Sequence, residues 1–213
     1  MDKPLYKKVI GVKWVYRTKQ NADGFINKYK AILVVKDYAQ VFGVDFSETF
    51  APVAQFDTIR LLLALSAQKD WKVYQLDVKS AFLNGYLQEE IFIEQPKGFE
   101  VKGQEEKVYL LKNALYGLKQ APRAWYSITD EYLYKLGFVK SMREATLYVK
   151  GTDANLIIVY VYVDELLVTG SYKTLIKEFK AEMLNVFEMT DLGLMSYFFG
   201  MEVKQSNGGI FIC

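Results

Sequence analysis

Histidine is absent from all 213 residues, and cysteine occurs once, as the final residue Cys213. Without imidazole there is no Ser/His or Cys/His catalytic pair and no zinc site that depends on one. A single cysteine forms no internal disulfide, which suits a reducing compartment. The longest apolar run, Leu156 to Val163, falls far short of the roughly 20 residues that span a bilayer. The opening "MDKPLYKKVIGVKW" is charged and lacks the apolar core of a secretory signal. These absences predict an intracellular, cytoplasmic protein that is not secreted and has no membrane partner. They leave any catalysis to carboxylates, Lys, Arg or Tyr.

What is present is ample core material. Half the chain is hydrophobic (51%) and 15% is aromatic, enough for one large domain or two small lobes. The net charge of +2 is unevenly spread, because residues 1–40 hold nine Lys and Arg against three Asp and Glu. That segment either faces polyphosphate or is a solvated basic hairpin, and composition by itself leans to the second.

Periodicity predicts interspersed strands and helices in one α+β body. "KKVIGVKWVYRTK" and "INKYKAILVVKDYA" alternate at period two around the turn "NADG", which reads as a hairpin. "DTIRLLLALSAQKD" (57–70) has helical spacing with Asp57 or Thr58 as N-cap, and "WKVYQLDV" (71–78) reads as a strand. "KSAFLNGYLQEE" is expected to start a short helix interrupted by Gly85, before a strand at "IFIEQPKGF". Two further helices are expected at 121–138, with Pro122 at its start and Gly137 past its end, and at 172–189. "TLYVK" reads as a strand before the turn "GTDAN", and "MSYFFGMEVKQ" with "GIFIC" forms a closing hairpin around "SNGG".

Three acids interrupt otherwise buried patterns. Asp164 and Glu165 lie inside "VYVYVDELLVTG" (159–170), and Asp77 lies at the far end of "WKVYQLDV". An acidic hairpin turn accounts for the first pair, since Asp is a common turn residue. A metal site accounts for all three if the two strands share a sheet. Hard cations such as Mg²⁺ take oxygen ligands, commonly one or two carboxylates plus substrate phosphates. Two such ions clamp the attacking and leaving oxygens of a phosphoryl displacement without any histidine. Spacing leaves the choice open.

The stretches "VYVDELL", "YQLDVKSAFLNGYLQEEIFIEQPKGF", "ALYGLKQAPRAWY" and "YFFGMEV" resemble the reverse transcriptase of copia-type retrotransposons, from about Val9 to the C-terminus. The resemblance implies a right-hand polymerase. Its fingers fall mostly in residues 1–56 and its palm, an antiparallel sheet packed against helices, in 57–213. The thumb is expected to be absent. It further implies RNA- or DNA-templated DNA synthesis from deoxynucleoside triphosphates on a primer, with two Mg²⁺ ions for which Mn²⁺ can substitute. An intact element would place such a protein in a cytoplasmic particle with access to the nucleus.

Roles carry over where residues match. Asp77 and Asp164 are expected to hold the metals with the Val78 carbonyl, and Glu165 stands beside them in the Tyr-x-Asp-Asp box, here "YVDE". Phe82 matches the ring that excludes a ribose 2′-OH, although its residue type alone reads as core. Gln120 matches the residue that packs on the nucleotide sugar and base, with a helix cap as its ordinary reading. Arg123 is expected to serve template or phosphates. Lys30 fits the basic fingers strand that meets the triphosphate as a point charge. Phe199, Gly200, Met201 and Glu202 resemble the primer grip, and an amphipathic hairpin is the plainer alternative.

Three positions depart from the family pattern: Glu165 replaces a second Asp, Ile32 an Arg, and Asp37 a Gly. Ile32 removes a bidentate phosphate donor, while Asp37 adds repulsion and forgoes the freedom of glycine at positive φ. These changes point to a decayed element copy with impaired synthesis, or to a catalytically dead remnant that at most binds nucleic acid. A metal-dependent nuclease would leave "LKQAPRAWY" and Phe82 without purpose. Oligomeric state is left open.

Overall fold

The computed structural model describes residues 1–21, 23–152, 154–206 and 208–213. Ala22, Asp153 and Asn207, each in an expected turn, lie outside the described residues. Chain order runs β1 (Val12–Gln20), β2 (Ile26–Val35), α1 (Phe56–Gln68), β3 (Tyr74–Val78), β4 (Tyr86–Ile93), β5 (Tyr109–Asn113) and α2 (Ala121–Lys135). It continues through β6 (Val139–Lys140), β7 (Leu147–Lys150), β8 (Ile157–Tyr162), β9 (Glu165–Gly170) and α3 (Lys173–Val186). β10 (Met189–Leu194), β11 (Tyr197–Phe198), β12 (Met201–Ser206) and β13 (Gly209–Ile212) complete it. The fold is mixed α and β with antiparallel pairing between its named strands. No helix among the described residues is long and apolar enough to cross a membrane.

Two compact units divide the chain, and neither is continuous in sequence. The first takes residues 1–51 and 82–128 and holds the β1–β2 and β4–β5 hairpins. Its core gathers Ile10, Val35, Ile91, Ile93, Ala114, Leu118 and Ala121. The second takes 52–81 and 129–213 and holds a six-stranded sheet in the order β10-β3-β9-β8-β7-β6, with the small sheet β11-β12-β13.

The second unit explains why "LIIVYVYV" is apolar without alternation. Ile158, Tyr160 and Leu167 pack with Ile59, Leu62 and Leu63 of α1. Ile157, on the alternate face of β8, lines a cavity of about 290 Å³ with Phe179 of α3. Strands covered on both faces lose the half-polar pattern.

Some local expectations are corrected. "GYLQEE" does not continue a helix: Ala81–Asn84 forms one 3₁₀ turn, and from Tyr86 the chain becomes β4 paired with β5. β-pairing outweighs weak helical propensity there. α1 begins one residue before Asp57, so neither Asp57 nor Thr58 is its cap; Gln55 holds that place without a side-chain cap bond. The helix expected at 172–189 ends at Val186, and Met189 instead opens β10, recruited by the exposed edge of β3. Gly137, φ +82°, ends α2 as expected.

The α1 entry is secured from the sheet. The fully buried Tyr160 donates its hydroxyl to the Gln55 carbonyl at 2.9 Å. Burial pushes its pKa up to about 12, with the nearby Glu144 charge adding to the shift. Because the folded state favours the neutral phenol, this stability is complete below pH 10 and is lost as pH rises through about 12. Tyr160→Phe is expected to cost about 1 kcal/mol at neutral pH and to flatten the stability loss between pH 10 and 12. Urea unfolding across that range checks both.

Candidate active site

Antiparallel register brings the acids to one end of the second unit's sheet. Asp77 stands directly opposite Glu165, the first residue of β9. Directly opposed residues share a sheet face with their Cβ atoms about 5 Å apart. Tyr162 pairs with Glu165, so Val163 and Asp164 form the two-residue turn between β8 and β9. The Asp164 carbonyl accepts the Val78 N–H at 2.7 Å, which ties this turn to the end of β3.

Electrostatics agrees with that proximity. Burial first, then the negative charges of Asp164 and Asp77, raise the Glu165 carboxyl above its usual range, while a hydrogen bond with Gln75 opposes the rise. Tyr162 is raised in the same way, by burial and then by Glu165 and Asp164. Among the described residues no three acidic or cysteine side chains form a closed metal cage. A set of two carboxylates with a backbone carbonyl still fits Mg²⁺, which is usually held by one or two carboxylates plus substrate phosphates.

The turn itself is strained. Val163 has φ +51°, a conformation that is a true outlier for a β-branched side chain. Such strain collects at functional sites. It was not legible in the sequence, where valine gives no turn signal.

In the first unit, Lys30 lies opposite Arg17 and Lys28 opposite Lys19. Alternation puts Lys13, Arg17, Lys19, Lys28 and Lys30 on one face of the hairpin. Two rungs of opposed like charge destabilise the pairing. Ile32, opposite Val15, occupies the same face as Lys30. Asp37 is exposed and is not among the residues with positive φ, so the lost glycine removes no needed backbone freedom.

Phe82 is half-buried, packed beside the first unit's core with its ring 5.1 Å from that of Tyr116. Gln120 is only 2% exposed, and both ends of its amide are bonded within the first unit. Its Oε1 accepts from Gln40 at 3.0 Å and its Nε2 donates to the Asp45 carbonyl at 2.9 Å. Gln40 in turn accepts the Lys119 N–H, and Asp45 accepts the Val41 N–H. This buried polar network was missed in the sequence, because isolated Gln and Asp residues in a loop carry no period. Arg123 donates to the Glu48 carbonyl at 3.2 Å. Arg123 and Gln120 border a small cavity with Tyr86, Gln88 and Glu89.

Phe199 and Gly200 form the tight turn between β11 and β12, with Phe198 paired to Met201 and Tyr197 to Glu202. Both turn residues have positive φ, 54° for Phe199 and 80° for Gly200. Met201 is buried and Glu202 exposed, so this hairpin is amphipathic as well as strained.

The whole chain, residues 1–213, matches the family model described as reverse transcriptase (RNA-dependent DNA polymerase). It is 42% identical over 204 residues to the retrovirus-related Pol polyprotein from transposon TNT 1-94 of Nicotiana tabacum, covering 95% of this chain and 15% of that protein. The corresponding polyproteins from transposons RE1 and RE2 of Arabidopsis thaliana are 39% and 40% identical, over 97% and 95% of this chain and 14% of each relative. The chain thus spans about one seventh of the length of these relatives. It belongs to the reverse transcriptase family, within the group found in the Pol polyproteins of copia-type transposons.

Proposed function

We propose that this chain is the polymerising core of a copia-type reverse transcriptase, adding deoxynucleotides to a primer on an RNA or DNA template, with impaired rate. The observation that carries the reading is Asp77 facing Glu165 across β3 and β9 while the Asp164 carbonyl holds the Val78 N–H. In this reading residues 1–56 supply mostly fingers and the six-stranded sheet within 57–213 is the palm.

Asp77 and Asp164, with the Val78 carbonyl, would hold Mg²⁺. When bound, two such ions neutralise charge on the attacking and leaving oxygens of the transferred phosphoryl group. Lys30 and its basic neighbours attract the triphosphate, Phe82 limits the sugar, and the Phe199–Gly200 turn orients the primer end. Gln120 acts through the loop it braces, since its amide is already engaged, and Arg123 lies beside it toward template phosphates.

Impairment follows from positioning. Glu165 carries its carboxylate one methylene beyond that of the family's Asp, and a misplacement of about 1 Å can cost about 10²-fold in rate. Ile32 leaves an uncharged gap on the basic face beside Lys30. Glu165→Asp with Ile32→Arg is expected to raise primer extension about 10²-fold, more than either change alone. The assay is extension of a labelled primer with Mg²⁺, on the chain itself and with the chain replacing the matching segment of the tobacco polyprotein. Robust synthesis by the unaltered sequence in that chimera would reject impairment. No synthesis by the doubly restored chimera would reject the polymerase reading.

A further inference from the structure

We propose that Phe56 is a positioning residue. With Phe199 and Tyr162 it forms an aromatic clasp that fixes the Phe199–Gly200 turn against the Val163–Asp164 turn, and so holds the 3′ end of a bound nucleic-acid strand at a set distance from Asp164. The inference rests on the function proposed above.

Its basis is the contact between two strained turns. Val163 and Phe199, with φ of +51° and +54°, each occupy the first position of a two-residue hairpin turn. Asn-Gly would make the second turn without a side-chain penalty. A phenylalanine there costs backbone energy, and its ring does something an asparagine would not. It lies 4.3 Å from Tyr162, the residue just before Val163, and meets Phe56 edge-on at 6.3 Å. Phe198 closes the group at 5.3 Å from Phe199 and 6.0 Å from Tyr162.

The far end of the clasp is anchored independently. Phe56 is the first residue of α1, and the preceding Gln55 carbonyl is held by Tyr160, two residues before Tyr162 on β8. Arg60 lies over the Phe56 ring at 4.7 Å, which pins the outer face of that ring. Phe56 and Phe199 nonetheless stay 38% and 45% exposed. A cluster serving only the core would turn these rings inward. Partly open aromatic rings beside an acidic end of a sheet suit contact with a strand terminus, where base and sugar offer apolar faces. Strain that persists at an exposed turn is the pattern expected of a pre-organised site.

The test compares the parent chain with Phe199→Asn, Phe56→Leu and the double variant. Asparagine tolerates positive φ, so Phe199→Asn keeps the turn, and Phe56→Leu keeps apolar bulk. Binding is read by fluorescence anisotropy with two labelled duplexes of equal length, one with a recessed 3′ end and one blunt. Urea unfolding is run in parallel. The clasp predicts about tenfold weaker binding of the recessed end for each single variant, unchanged binding of the blunt duplex, and a double variant no weaker than Phe199→Asn alone. Phe56→Tyr, which retains the ring, should bind as the parent does. A Phe199→Asn chain that is as stable as the parent and binds the recessed end equally well overturns the clasp and leaves the polymerase reading intact. Equal loss on both duplexes, following a fall in stability, assigns the rings to the core and overturns it too. A parent that does not distinguish the two duplexes removes the underlying reading and the clasp with it.

Discussion

Asp164→Asn, made in a chain already carrying Glu165→Asp and Ile32→Arg, is expected to lower primer extension about 10³-fold while leaving the fold intact. Asparagine has nearly the same volume but no charge, so the change removes one hard oxygen donor and its attraction for a divalent cation. Loss of a single preorganised electrostatic group costs about 10²–10³-fold in comparable sites, and a metal-binding carboxylate lies at the upper end. The bond that ties the turn to β3 uses the Asp164 backbone carbonyl, not its side chain, and therefore survives. Stability should hold or rise, because removing the Asp164 charge relieves its repulsion of the carboxylate at position 165, which in the unaltered chain pushes Glu165 up. Asp77→Asn should behave alike, as in the unaltered chain its charge also repels the carboxylate at position 165. Steady-state extension rates and urea midpoints measured on the same preparations check the pair. A rate within tenfold of the restored parent, with an unchanged midpoint, would show that these carboxylates hold no metal.

Gly117→Ala is expected to cost about 3 kcal/mol or more. Gly117 has φ +90°, and a Cβ there would overlap the Val35 carbonyl oxygen and reach 2.7 Å from Cγ1 of Val34. These atoms cannot retreat easily. The Val35 N–H donates to the Tyr116 carbonyl at 2.7 Å, and Val35 belongs to the core of the first unit. Added bulk must therefore break a backbone bond or open the core. Gly103→Ala is the control, since Gly103 has a similar φ of +76° with nothing within 4 Å of its Cβ position. It should cost about 1–2 kcal/mol from the left-handed backbone alone. Urea unfolding of both variants separates strain from collision. Equal costs would show that the Val35 contact relaxes freely.

The glycine in "ALYGLKQAPRAWY" shows how sequence and structure divide the explanation. Its place in a motif was visible, but its reason was not, because the Val35 carbonyl that demands it lies far away in the chain. The same holds for Gln120. Its residue type suited either a nucleotide contact or a cap, and the fold engages its amide with Gln40 and Asp45. Phe82 likewise read as core or as a sugar-excluding ring, and it is half-buried against Tyr116.

Local periodicity and motif residues by themselves determined the β1–β2 hairpin, the three helices to within a few residues, and the family, while the hairpin turn at Asp164 was one of two readings the sequence left open. These depend on neighbours a few residues apart, which a linear sequence records. The tertiary structure alone decided what depends on distant partners. β10 exists because the edge of β3 was open to pairing, and "GYLQEE" became a strand because β5 lay beside it. Register set Asp77 opposite Glu165. A shift of one residue in either strand would turn Asp77 to the opposite sheet face from Glu165, because side chains alternate along a strand. The left-handed turns at Val163 and Phe199 were equally hidden. Nothing local favours valine or phenylalanine at positive φ, and only the surrounding packing holds them there.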